Sequence, residues 1–195
     1  MPSAIRAKLT VLSVALGFLL ALAGATALAA LDPAPAEAAD TVSVRSCTGG
    51  TVELKSGERR LLVLINRARA RRDLSMLCVH LKLERAARSH SRDMMQNDYF
   101  SHYSRGGSED PGERIARFGY DWASYGETID WGYGAAAGPL DAFKHWMRKK
   151  PHRRLILNRH FREVGVGAVY GTFAPDRDHV YRDAVMWTVD FGTRR

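Results

Sequence analysis

The chain has 195 residues, with 29 Lys+Arg against 21 Asp+Glu, a formal charge of +8 and a sequence pI near 9.8. A content of 46% hydrophobic and 26% charged residues excludes wholesale disorder and collagen-like sequence. Two cysteines are too few for a disulfide-dense scaffold or a four-cysteine zinc site. What remains is one globular domain, residues 40–195, behind a leader, residues 1–39.

Arg6 and Lys8 precede an apolar run from Leu9 to Leu22. Ala27-Leu28-Ala29 and Ala36-Glu37-Ala38 then offer the small-residue pattern of leader cleavage. A cleaved signal peptide with an Ala/Pro tail is expected, and with it a secreted protein of the extracellular space or cell envelope. The alternative is a retained anchor, because Leu9–Ala30 reaches the roughly 20 residues that span a bilayer. Thiols oxidise outside the cytosol, so the even count predicts a Cys47–Cys78 disulfide. Two independent thiols, with Cys78 buried after Leu77, are the alternative.

The first helix starts at Ser56, with Leu61, Leu62, Ile65 and Ala68 on one face and Arg60, Arg67 and Arg71 on another. That basic face suits anionic surfaces. Asp73-Leu74-Ser75 ends this helix. A second helix spans about Leu81 to Asn97, its stripe formed by Leu83, Ala87, His90 and Met94. Asp110-Pro111-Gly112-Glu113 opens a third with a cap, an N1 proline and a capping box, and Gly119 closes it. A fourth begins near Pro139, carrying Leu140, Phe143 and Met147 inward with Trp146 beside them. The period then changes. Val164, Val166 and Ala168 alternate with Gly165 and Gly167, and Val185, Trp187, Val189 and Phe191 share one face. These two strands pair antiparallel across a polar loop. Helices first and strands last make the fold class α+β.

The sequence contains no Gly-rich phosphate loop, no G-x-S-x-G elbow and no H-E-x-x-H helix. Of its seven histidines, His102 and His152 sit in dense local context, in D-Y-F-S-H and W-M-x(4)-H-R-x-x-I-L. Glu127 stands between them in G-E-T-I. His90 shares the apolar stripe of its helix, and a packing role is expected for it. His80, His145, His160 and His179 lack motif context and are expected at the surface. Trp122, Tyr125, Trp131 and Tyr133 flank Glu127 and either line a cleft or pack loop against sheet.

These motifs, followed by F-R-E-V-G-V-G and a late W-T-V-D-F-G, resemble the CAP superfamily of cysteine-rich secretory proteins, antigen 5 and pathogenesis-related 1, in its bacterial secreted, SCP-like form. The resemblance runs from about Leu61 to Gly192. It implies an α-β-α sandwich with a central antiparallel sheet and a cleft holding two histidines and one or two acids, able to bind a divalent metal in some members. Position by position these are His102, His152 and Glu127. The second acid of the animal proteins has no match, for Arg148, Lys149 and Lys150 occupy its neighbourhood, and Thr128 stands where Asn is common.

Two imidazoles and a carboxylate are an ordinary Zn²⁺ ligand set with room for a water, and equally a hydrogen-bonded cluster that pins loops. Glu163 opens the strand after His152 and is expected near His152, as its hydrogen-bond partner or as a fourth member of the cluster. Its alternative is a surface acid among Arg153, Arg159 and Arg162. The expected function is a secreted, monomeric binding or interaction module whose partner is a lipid or cell-envelope ligand. The alternative is a metal-dependent hydrolase with Glu127 or Glu163 as general base. Nucleic acid is not expected as a partner.

Overall fold

The computed structural model describes residues 40–195. The leader, its cleavage sites and the anchor alternative lie outside the described residues. Among the described residues no helix is long and apolar enough to cross a membrane.

The domain opens with a hairpin of β1 (Thr41–Arg45) and β2 (Thr51–Lys55), which runs directly into helix α1 (Ser56–Ala70). Glu58 fixes that start by accepting the Lys55 backbone N–H at 2.8 Å. After the two-residue strand β3 (Cys78–Val79) come α2 (Leu81–Gln96) and α3 (Pro111–Arg117). Helix α3 has the expected capping box, Glu113 N–H to Asp110 at 2.8 Å and Asp110 N–H to Glu113 at 2.9 Å. Then follow β4 (Trp122–Tyr133), α4 (Pro139–Arg148), α5 (Lys150–Ile156), β5 (Glu163–Phe173) and β6 (Tyr181–Arg194). The Cys47–Cys78 disulfide is formed and ties the hairpin to the start of α2.

The main sheet has the order β3-β5-β6-β4, antiparallel except for the short parallel β3–β5 pairing. One face carries Val164, Val166, Val185, Trp187, Val189 and Phe191 against α1, α4 and α5. The other receives α2 so closely that a Cβ at Gly165 would lie 2.0 Å from the Leu83 carbonyl carbon. Ser91 of α2 reinforces the contact, its hydroxyl 2.9 Å from Thr188 on β6. Alternation therefore assigns sides, with α2 and α3 on one and α1, α4 and α5 on the other. This is the expected α-β-α arrangement.

Two expectations about packing change. In α4 the fully buried side chains are Ala142 and Trp146, whereas Leu140 is 36% exposed. Trp146 is drawn in because its indole N–H donates to the Ile129 carbonyl of β4 at 2.9 Å. His80 is buried rather than at the surface. It caps α2 by accepting the Lys82 N–H, and its ring meets Tyr120 edge-on at 4.8 Å.

Candidate functional site

Strand β4 is a free edge of the sheet, and a cavity of about 360 Å³ lies over it. The segment following α2 supplies Phe100, Ser101, His102 and Tyr103. From the opposite layer come His145, Trp146 and Lys149 near the end of α4, and His152 on α5. Ile129 and Asp130 of β4, adjacent and pointing to opposite faces, form the floor. Residues 50 positions apart meet here because the chain passes around one sheet edge.

Glu127 lies directly behind His102. Its Oε1 is 2.7 Å from His102 Nδ1, and its Oε2 accepts from Arg114 Nη2 of α3 at 2.5 Å. Arg114 is buried and also donates to the His102 carbonyl at 3.3 Å, so one guanidinium holds both the acid and the backbone of the histidine. Burial alone would raise the Glu127 pKa. The His102 hydrogen bond and the charges of Arg114, His90 and His102 outweigh it and hold Glu127 below the ordinary carboxylate range. Asp190, cross-strand from Glu127, is wholly buried beside it. Burial first, then the Glu127 charge, pushes its carboxyl strongly up towards the neutral form.

With Nδ1 turned to Glu127, His102 keeps Nε2 free for the cavity. Burial lowers the His152 pKa, helped by the charges of His102 and Lys149, which favours the neutral, ligand-ready imidazole. Glu127 has one oxygen on each of two partners and is an orienting carboxylate rather than an open ligand. Among the described residues the one set of three His, Cys, Asp or Glu donors gathered within 4.8 Å is Cys47, Cys78 and Glu163, whose sulfurs are joined in the disulfide. His102 and His152 belong to no such set, although both line the cavity, with Glu127 behind His102.

Glu163 corrects an expectation. Its carboxylate accepts from the Tyr120 hydroxyl at 2.6 Å and pairs with Arg194 at 2.8 Å, and it joins neither His152 nor the cavity. The reason is strand parity. Glu163 shares its face with Gly165 and Gly167, which touch α2, whereas His152 rides on α5 across the sheet. His90 packs as expected, buried with Nε2 on the Ser101 carbonyl at 2.9 Å. None of the four aromatics around Glu127 lines the cavity. Trp122 and Tyr125 pack on α3, while Trp131 and Tyr133 cluster with Tyr181. Sequence reasoning missed Arg114, Asp130 and His145. Arg114, midway along the short α3, carries no motif, whereas Asp130 stands only three residues beyond Glu127.

The chain resembles several known proteins. It is 31% identical over 137 residues to the uncharacterized protein YkwD of Bacillus subtilis, covering 70% of this chain and 50% of that one. It is 32% identical over 114 residues to the uncharacterized membrane protein YlbC of the same organism, covering 57% of this chain and 31% of that one. The chain thus spans half or less of these curated relatives. Among solved structures it resembles an extracellular SCP-domain protein of Bacillus anthracis (TM-score 0.58, 28% identity, 71% of this chain and 40% of that one). An outer surface protein of Borrelia burgdorferi shares the fold (TM-score 0.58, 16% identity, 80% of this chain and all of that one). The family model for the cysteine-rich secretory protein family, CAP, matches residues 62–191, and the chain belongs to that family.

Proposed function

We propose that this chain is an extracellular or envelope-associated CAP-domain binding module whose ligand site is the cavity over the β4 edge. The observation that carries the reading is the meeting of His102 and His152, from opposite layers, at one cavity, with His102 oriented by a buried Glu127–Arg114 pair. Phe100, Ile129 and Trp146 give the same cavity an apolar wall suited to a lipid or similar envelope amphiphile. A divalent ion such as Zn²⁺ would be held by His102 and His152, where it supplies a positive centre for a polar headgroup. The names of the Bacillus anthracis and Borrelia proteins, together with the leader pattern, support the location outside the cytosol.

The test is Zn²⁺ titration of the full chain by calorimetry. His102→Ala and His152→Ala should each abolish binding, and Glu127→Gln should weaken it roughly 10–100-fold, as for a partner that orients a ligand. Zinc affinity untouched in both histidine variants would overturn the metal part of the reading.

A further inference from the structure

A second histidine–carboxylate pair stands in the same cavity, unused by the metal reading. His145 of α4 places Nδ1 3.0 Å from Oδ2 of Asp130 on β4, and both residues line the cavity. The imidazole is 45% exposed and the aspartate 19%. With Nδ1 engaged, Nε2 is the nitrogen that faces solvent and any bound molecule.

The two pairs differ in what stands behind the acid. Glu127 is shared with the buried Arg114, so much of its charge is already compensated when His102 takes a proton. Among the described residues Asp130 has no guanidinium partner; its side-chain ion pair there is with His145, and Lys149 acts on it through space. Burial raises the Asp130 pKa, against the His145 hydrogen bond and charge. A poorly hydrated carboxylate attracts an imidazolium more strongly, which is what a proton-accepting histidine needs behind it. The other ionisable groups around the cavity are His102, His152, Lys149 and Tyr103.

We propose that His145 and Asp130 form a general-base pair, and that the cavity hydrolyses carboxylic esters carrying an apolar acyl group. Nε2 of His145 takes a proton from water as the water oxygen bonds to the ester carbonyl carbon. The carbonyl π pair moves onto its oxygen, and the Lys149 ammonium at the cavity wall offsets that charge. Collapse breaks the bond to the alkoxy oxygen, which takes the proton back from Nε2. The products are a carboxylic acid and an alcohol, and water is the sole co-reactant. Direct attack by water follows from the site. Among the described residues no serine, threonine or cysteine side chain hydrogen-bonds an imidazole, and Ser101 Oγ accepts the Tyr103 N–H instead. Esters are favoured over amides because a single mobile ammonium is a weak substitute for a fixed oxyanion hole, and an alkoxide leaves more easily than an amine.

The experiment follows hydrolysis of p-nitrophenyl butyrate by the full chain, against free imidazole at equal concentration, with and without EDTA. The protein should exceed imidazole by on the order of 100-fold, within the range for positioned general bases, and EDTA should leave the rate unchanged. His145→Gln should fall to the imidazole background. Asp130→Asn should lower kcat at least about tenfold with KM unchanged, since it keeps the imidazole but loses the charge behind it. His179→Gln should retain the full rate, because that pair, 2.8 Å from Asp176, stands on an exposed turn outside the cavity. A rate equal to imidazole, a rate kept in His145→Gln, or one lost with EDTA would each overturn the proposal. Zinc titration of His145→Gln separates the two readings, for metal binding at His102 and His152 should survive there whatever the turnover shows.

Discussion

Two buried arginines do structural work that their charge alone would not suggest. Arg69 of α1 is fully buried and donates to the carbonyls of Ile156 at 2.8 Å and Asn158 at 2.9 Å, closing the C-terminal end of α5. Arg114 does the equivalent for the site, bonding Glu127 at 2.5 Å, Ser104 Oγ at 3.2 Å and the His102 carbonyl at 3.3 Å. Removing it leaves the buried Glu127, with Asp190 beside it, without its guanidinium and with only histidines as cationic neighbours. Arg114→Met should therefore lower the unfolding free energy by roughly 3–5 kcal/mol, the range for breaking a buried pair from one side. Adding Glu127→Gln should recover part of that loss, because the stranded charge is then gone. Urea denaturation of the two single variants and the double variant measures the coupling. Strictly additive losses would mean that Arg114 stabilises through packing alone. Neither arginine announced itself in the sequence, where each stands among other arginines of its helix.

Elements were legible where one periodic face or a local signal defined them. The stripe of α1, the length of α2 and the Asp110-Pro111-Gly112-Glu113 start of α3 all appear as the pattern predicts. Strand β4 carries no such pattern, because it lies at the edge and sends Glu127 inward between Gly126 and Thr128. Helix α5 is short, basic and opened by Lys150-Pro151, with Ile156 its one fully buried side chain. The hairpin of β1 and β2 was readable in principle, through Val42/Val44 and Val52/Leu54 around Gly49-Gly50. As a result the candidate site residues were visible but their layout was not: His102, Glu127 and His152 could be named, while the face on which Glu163 lies required the register. The sheet–helix contact gives a test at this scale. A Cβ at Gly165 would meet α2 backbone at 2.0 Å, whereas one at Gly171 meets the flexible Met95 side chain at 3.4 Å. Gly165→Ala should cost about 3 kcal/mol or more, at the upper end for overpacking, and Gly171→Ala should be near neutral. Similar melting temperatures for the two variants would mean that α2 can lift from the sheet without penalty.

At the scale of the whole molecule, a chain of formal charge +8 buries carboxyl groups, Glu127 and Asp190, in the sheet layer behind the cavity. Asp190 is the extreme case, with its carboxyl pushed well up by burial and by Glu127. The sign of the consequence is fixed. An acid whose folded pKa lies above its unfolded value binds more protons in the folded state across that interval, so its contribution favours folding at low pH and is lost as pH rises from about 4 through the raised value. His90 and His152 run the other way. Their folded pKa values are lowered, by burial first, so the stability they contribute is present above about 6.5 and declines as the unfolded chain gains protons below it. The two effects accordingly oppose each other, His90 and His152 costing stability as pH falls below about 6.5 and Asp190 costing it as pH rises above about 4. Asp190→Asn separates the two, because asparagine keeps the shape of the neutral carboxyl and cannot ionise. In urea unfolding between pH 4 and pH 9, the variant should gain on the parent as pH rises from about 4, and the gain should level off once the raised Asp190 value is passed. The gain should shrink when Glu127→Gln is added, since the Glu127 charge that opposes ionisation of Asp190 is then absent and burial alone remains. A constant difference between Asp190→Asn and the parent across that range would show that Asp190 is no more reluctant to ionise in the folded protein than in the unfolded chain.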